Sequence, residues 1–434
     1  MRTILMTAYA VDPYKGSEEG TGWNLIFEAA KNNRIIAVTR KNNKQNIDEY
    51  MQKHITHTAV YSNIHFLYFD LPRWLIWWKK GPLLSALYFY IWQICVALWL
   101  LYKRPVFDIA HAVNFHSNWT PSFLWMLGRP FVWGPVGNHP KIPAQYLTKV
   151  YGRNAYIKDR LLWMIKCFSW YADPFVYICK YKAEKIFCVN SQSAEVLRIP
   201  EHKKIFMPAV ASEEGLLDCN HDDENFTVLS VGRFVPLKGF DLTIRAFSLF
   251  HNCLPASEKN KTSLHIIGSG PEKERLLSII KKEKKEHVIT ISDWMSRTDV
   301  ITNFKNSSAF LFPSHEGAGM VLAEAMSFGM PVICLDNYGP GEYVHPQTSL
   351  KVKQRSYDDT VLMLAGRLRQ LYDNRLLYEK ESRLSLERYR EIFRWPVKGT
   401  LMNNVYSEIM LANCSETLLR INLNNLQQNK QATD

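Results

Sequence analysis

Three short stretches of this 434-residue chain hold residues whose types and spacing could do chemistry. In Thr227–Asp241, TVLSVGRFVPLKGFD, a β-rich run ends at Gly232, Arg233, Pro236, Lys238 and Gly239 follow, and an amphipathic helix starts at about Phe240. Two cations at a strand end, beside a helix N-terminus, suit a diphosphate, because cations and helix dipole favour negative charge at one place. Taken alone, the pair reads as solvated loop charges, and the spacing is not that of a Walker loop. In Leu264–Glu272, LHIIGSGPE, a strand ends in the Gly-x-Gly turn of Gly268 and Gly270. A tight turn explains those glycines as well as a ligand does, and without a third glycine they are no dinucleotide fingerprint. The most specific stretch is Leu311–Leu335, LFPSHEGAGMVLAEAMSFGMPVICL. Here a strand ends at Pro313, and the loop 314–319 carries Glu316. A helix then runs from near Met320 to Phe328, closes at Gly329, and carries Glu324. The backbone N–H groups of Gly319, Met320 and Val321 can cradle an anion, and the two carboxylates can hold sugar hydroxyls. The plainer alternative makes Glu324 a surface helix residue and Glu316 an acid favoured by the helix dipole.

The elements that must position these residues are legible as alternation. Short apolar β-rich runs at 2–9, 34–39, 65–70, 107–112, 130–133, 184–189 and 203–208 form one series. Runs at 227–232, 263–268, 287–291, 308–312, 331–335 and 348–352 form a second. Amphipathic runs fill the gaps, so the expected fold class is α/β, with parallel sheets covered by helices on both faces. The polar stretch SEEGLLDCNHDDEN divides the series. The expected organisation is a Rossmann-like domain over 1–211, a linker over 212–225 and a second Rossmann-like domain over 226–380. Helices over 381–412, able to pack back on the first domain, and a polar tail over 413–434, disordered from Asn422, complete it. Ligands of such sheets bind outside the carboxyl ends of the strands, so a site is expected in the cleft where the two domains face each other.

Composition narrows the function classes. An apolar fraction of 47% with 22% charged residues is globular, which excludes disordered and fibrous classes. Eight cysteines without a CxxC pair make neither a disulfide framework nor a zinc ribbon, and point to a reducing compartment. The N-terminus reads as a first strand rather than a signal peptide. Residues 1–210 hold 26 Lys/Arg against 13 Asp/Glu, while 211–434 hold 27 against 28. Eleven of the 13 tryptophans also lie in the first 210 residues. That balance fits an anionic membrane surface or an anionic acceptor, or simply a basic domain; scattered charges without a nucleic-acid motif exclude nucleic acid as a partner.

Leu83–Tyr102, LLSALYFYIWQICVALWLLY, has only Ser85 and Gln93 clearly polar, with Lys79, Lys80, Lys103 and Arg104 at its flanks and Trp74, Trp77 and Trp78 before it. Its length and apolarity suit a transmembrane span. Its place between two strands suits a crossover helix, either packed in the domain or touching a membrane interface.

The second half resembles the retaining nucleotide-sugar glycosyltransferases of glycosyltransferase family 4, which have the GT-B fold. The resemblance rests on Gly232, Arg233, Lys238 and Gly239, on Gly268 and Gly270, and on the Glu-x7-Glu of Glu316 and Glu324. Gly329-Met330-Pro331-Val332 and Gly339-Pro340-Gly341-Glu342 add to it, for coverage of about 225–345. More loosely, Gly16-Ser17-Glu18-Glu19-Gly20-Thr21-Gly22-Trp23 resembles the family's N-terminal glycine-rich loop. Asp108-Ile109-Ala110-His111 resembles the strand end carrying its active-site histidine, and Gly134-Pro135-Val136-Gly137-Asn138 a cleft loop. Two departures stand out. Ala318 takes the place of a common phenylalanine and should reshape the wall near the donor, and His116 and His139 lie close enough to His111 to compete for its role.

What the resemblance implies is a metal-independent retaining glycosyltransferase in cell-surface glycan synthesis, with a nucleotide-diphosphate sugar donor and a saccharide or lipid-linked acceptor. His111, Arg233, Lys238 and Glu316 would be catalytic. Gly16, Ser17, Gly268, Gly270, Gly319, Met320, Val321 and Glu324 would bind the donor. No cofactor is expected, and no metal, because no Asp-x-Asp follows a strand: Asp222-Asp223 lies in the linker and Asp358-Asp359 in a late helix. Arg233 and Lys238 would then take the leaving charge. The expected location is cytoplasmic and peripheral on the inner face of the membrane. The rival classes are a non-catalytic membrane-associated scaffold of the same fold, a sugar-nucleotide epimerase, and an oxidoreductase that lacks its fingerprint.

Overall fold

The computed structural model describes residues 1–114, 117–215, 225–293, 295–317 and 319–431, without the side chains of 17, 73, 82, 114 and those beyond 413. Each β-rich run forms a strand. In the first half these are β1 (Thr3–Ala8), β2 (Arg34–Thr39), β3 (Ile64–Tyr68), β4 (Ile109–Asn114), β5 (Phe131–Val136), β6 (Lys185–Cys188) and β7 (Lys204–Phe206). In the second they are β8 (Phe226–Val231), β9 (Thr262–Ile267), β10 (Ile289–Ser292), β11 (Ala309–Phe312), β12 (Val332–Leu335) and β13 (Lys351–Val352). All pairings are parallel, in the orders β3-β2-β1-β4-β5-β6-β7 and β10-β9-β8-β11-β12-β13. Strand order reverses between β1 and β4 in one sheet and between β8 and β11 in the other. Adjacent chains leave such a switch point in opposite directions and open a crevice at the carboxyl ends.

The apolar run over 83–102 is the crossover between β3 and β4. Its helix, Gly81–Lys103, buries Tyr88, Phe89, Trp92, Val96 and Leu100 against the first sheet. The two strands it joins lie in one sheet, so it does not span a bilayer. Its other face is open, with Leu83 67%, Leu87 50% and Leu98 50% exposed.

Two segments cross between the domains. The helix Ala144–Ala172 breaks at Gly152 (φ 78°). Its first leg packs Tyr146 and Leu147 into the core of the second domain, where Tyr151 Oη donates to Asp241 at 2.9 Å. The stretch 142–151 therefore belongs by packing to the second domain, although it precedes 211. The long helix Trp395–Gln431 returns to the first domain: Met402, Val405, Tyr406 and Ile409 join its core, and Arg2 Nη1 donates to Ser407 Oγ at 2.6 Å. The helix before it, Arg375–Ile392, stays on the second, with Tyr378 Oη on the Ser308 carbonyl at 2.9 Å. The return thus begins near 395 rather than 381. The tail expected to be disordered from Asn422 continues this helix to Gln431. Of the linker, 216–224 lies outside the described residues, Asp222 and Asp223 included; Ser212 bridges to Arg394, so the two crossings run side by side.

Candidate active site

The second-domain wall is built at the β8/β11 switch point. After β8, the turn Pro236–Lys238 closes at Gly239 (φ +68°), whose position leaves no room for a side chain: a Cβ would lie 2.3 Å from the Pro313 carbonyl oxygen. That close approach sets Lys238 beside the loop after β11, where its Nζ lies 2.8 Å from the Glu316 carboxylate. Glu316 is 6% exposed, and burial pushes its carboxyl above the usual range against the opposing pull of Lys238. Both Glu316 oxygens lie 2.8 Å from the ammonium, whose three N–H donors still leave at least one for a ligand. Gly319, Met320 and Val321 line the same space at the N-terminus of the helix Met320–Ser327, whose dipole adds to the positive potential.

The loop holding Glu316 is stapled to the first domain. Gly317 N–H donates to His139 Nδ1 at 3.2 Å, and the Gly317 carbonyl accepts from Asn190 Nδ2 and Tyr343 Oη, each at 3.2 Å. Glu342 accepts from Ser191 N–H at 2.8 Å. His139 stands exposed to the cavity between the domains; desolvation, then Lys166 and Lys238, lower its pKa to about 4. Since Nδ1 accepts, the neutral ring carries its proton on Nε2.

Between the walls lies a cavity of about 910 Å³. The first domain contributes Tyr9 after β1, Arg40 after β2, Lys79, Trp119, His139 after β5, and Lys166. The lining holds five cations, Arg40, Lys79, Lys166, Arg233 and Lys238, against two carboxylates, Glu18 and Glu316, so the space favours an anionic ligand.

Of the four residues expected to be catalytic, the structure brings three together: Arg233, Lys238 and Glu316. His111 is not among them. It is fully buried in β4, its Nε2–H donating to the Gly134 carbonyl at 2.7 Å and its Nδ1 accepting from Tyr406 Oη at 2.6 Å. Burial lowers its pKa to about 4. With both ring nitrogens committed, His111 ties the C-terminal helix to the first sheet, and His139 is the described histidine that faces the cavity. His116 and Ala318 lie outside the described residues.

The residues expected to bind the donor divide similarly. Gly319, Met320 and Val321 line the cavity. Gly16 lies just behind it, where a Cβ would be 3.2 Å from Met320 Sδ; Ser17 opens the helix Ser17–Ala30, from which Glu18 and Thr21 reach the space. Gly268 and Gly270 pack against the loop after β8 instead: a Cβ at Gly268 would lie 1.9 Å from the Gly232 carbonyl oxygen. Glu324 is 5% exposed and paired with Arg297, away from the cavity lining. Arg40, Trp119 and Lys166 stand outside every motif of the sequence, and Lys79 reads there only as a flank of the apolar run. Arg40 follows a strand end and could have been found by that rule; Lys166, inside a helix, carries no local signal.

Two parallel-sheet α/β domains with a site at both switch points define the GT-B architecture of glycosyltransferases. Residues 218–389 match the family model of the glycosyl transferases group 1. A glycosyltransferase of Haemophilus influenzae is 35% identical over 120 residues, 27% of this chain and 31% of the relative. The lipopolysaccharide core biosynthesis glycosyltransferase LpsD of Rhizobium meliloti is 31% identical over 170 residues, 39% of this chain and 45% of the relative. The matched stretches thus span a third to a half of these relatives' lengths. HepE of Anabaena, crystallised with UDP and glucose, superposes with a TM-score of 0.57 over 94% of this chain and 100% of its own, at 14% identity.

Proposed function

We propose that this protein is a retaining, metal-independent glycosyltransferase of family 4, moving a sugar from a nucleotide-diphosphate donor to a saccharide or lipid-linked saccharide acceptor in cell-surface glycan synthesis. The observation that carries the reading is the meeting of Arg233, Lys238 and Glu316 with the Met320–Ser327 helix N-terminus on one cavity wall. Breaking a sugar–diphosphate bond needs stabilisation of the departing charge. On this reading Arg233 and the Lys238 ammonium supply it, without calling on a metal. Glu316 positions the donor sugar and steadies positive charge growing on its anomeric carbon. Attack comes from the leaving-group face, the departing phosphate taking the proton of the acceptor hydroxyl. The N-terminal glycine loop and His139 close the other side.

HepE's complex with UDP and glucose supports a uridine-type donor, and LpsD supports a surface-polysaccharide setting. The chain works in the cytoplasm, peripheral on the inner face of the membrane, through the open face of the helix Gly81–Lys103. The test is incubation of the purified protein with UDP- and GDP-sugars and extracted glycolipid. Nucleotide release with a new glycoside of unchanged anomeric configuration is the expected result. Inversion would refute the retaining mechanism, and an epimerised donor without acceptor would replace transfer by epimerisation. A protein that binds nucleotide sugar and turns nothing over is a scaffold.

A further inference from the structure

Building on the glycosyl-transfer reading, we infer that Lys166 binds the donor's diphosphate, a first-domain cation meeting it from across the cleft while Arg233 and Lys238 hold it from the second domain. Lys166 is 8% exposed and lines the cavity. Among the described residues its ammonium has neither a hydrogen bond nor an ion pair. The carboxylate that acts on it, Asp159, is committed to Arg160 at 3.1 Å. The Trp163 ring centre is 5.7 Å away. Desolvation outweighs Asp159 and lowers the pKa of Lys166. A buried ammonium without a partner is costly, and an anion in the cavity removes that cost.

His139 fixes which anion this is. Its Nδ1 accepts from the Gly317 N–H, next in the chain to Glu316, and Glu316 holds Lys238 at 2.8 Å. Lys166 and Lys238 are the two cations that depress the pKa of this ring, Lys166 the more strongly. Glu18 acts on it in the opposite direction and more weakly. Coulomb interactions fade with distance, so the two ammoniums stand near one imidazole, one reaching it from each domain. Arg40 and Lys79 form a separate group beside Asp70. Lys166 therefore belongs with the donor cation Lys238. Two like charges flanking a neutral ring repel each other, and a diphosphate between them replaces that repulsion with charge-assisted hydrogen bonds on both sides. Lys166 lies in the second leg of the helix Ala144–Ala172, with no glycine turn or strand end near it, so no local pattern marks it as a phosphate ligand.

The experiment is calorimetric binding of UDP, GDP, uridine, guanosine and inorganic diphosphate to the full chain and to Lys166→Met, which keeps the apolar stem and removes the charge. Loss of one charge-assisted contact should weaken the preferred nucleoside diphosphate at least tenfold. The matching nucleoside has no phosphate, so its affinity should stay within twofold and report an intact fold. Equal loss of nucleotide and nucleoside would make Lys166 a structural residue and overturn the assignment. Unchanged nucleotide affinity with weaker inorganic diphosphate binding would give Lys166 to another anion and overturn it as well. A wild type that transfers sugar while Lys166→Met holds the nucleotide as tightly would overturn the assignment and leave glycosyl transfer standing. A wild type that binds inorganic diphosphate through Lys166, and neither UDP nor GDP more tightly, would sink glycosyl transfer and leave Lys166 as an anion ligand.

Discussion

Replacing Lys238 by Met separates the charge-stabilising role of this residue from its structural one. Two effects are expected, because its ammonium both faces the cavity and neutralises a carboxylate that is 6% exposed, 2.8 Å away. Loss of one preorganised charge stabiliser costs on the order of 3 kcal/mol in the transition state, about a hundredfold in turnover. Stranding Glu316 costs a further ~3 kcal/mol of folding stability at neutral pH, roughly 6–12 °C of melting temperature for a domain of this size. The pH dependence has a definite sign. Burial already raises the native pKa of Glu316, and Lys238 opposes that rise. Without Lys238 the native state holds a proton that the unfolded state releases, so stability declines as pH rises from the ordinary carboxylate range through the native pKa. Lys238→Met should therefore melt closest to wild type in acid and furthest below it at neutral pH. Adding Glu316→Gln should restore the neutral melting temperature and leave turnover lost. Paired thermal melts and single-turnover assays across pH 5 to 8 read both effects. Near wild-type turnover at saturating donor would refute the role of Lys238, and a melting deficit independent of pH would refute the buried-pair account.

Four further outcomes follow from the same geometry. EDTA should leave turnover within about twofold; complete loss restored by manganese or magnesium would end metal independence. His111→Ala should cost about 3 kcal/mol, from the cavity and the stranded Tyr406 hydroxyl, while keeping most turnover below its melting transition. Loss of turnover without loss of stability would return His111 to the chemistry. Because burial lowers the pKa of His111 from 6.5 to about 4, the unfolded chain binds more protons between those values, and wild-type stability should fall as pH falls through that window, as acid melts will show. The protein should also float with anionic but not neutral vesicles and detach as salt rises, since exposed charges are screened; failure to float at low salt would remove the membrane interface.

The second-domain half of the site was legible because it is local. A strand end, a glycine-closed turn and a helix start within fifteen residues place Arg233 and Lys238. The loop after β11 does the same for Glu316 and for the backbone of Gly319 to Val321. The Gly-x-Gly of Gly268 and Gly270 shows where such reading misleads: a glycine that lets backbone approach a phosphate and one that lets it approach another loop look alike, and here the Gly232 carbonyl is the neighbour.

The sequence by itself determined the thirteen strands, their division into two parallel series and the cations and carboxylate at the second switch point. Alternation, turn residues and helix starts are properties of neighbouring residues, and neighbours survive any change in packing. Only the tertiary structure decided which histidine meets the cavity, because the fate of His111 is set by Tyr406, 295 residues away. It alone gave 142–151 to the second domain, since an amphipathic helix does not state which core it covers. It alone assembled Arg40, Lys79 and Lys166, which come from a strand end, a turn and a mid-helix position. Their shared character, cations facing one cavity, exists only once the fold has brought those elements side by side.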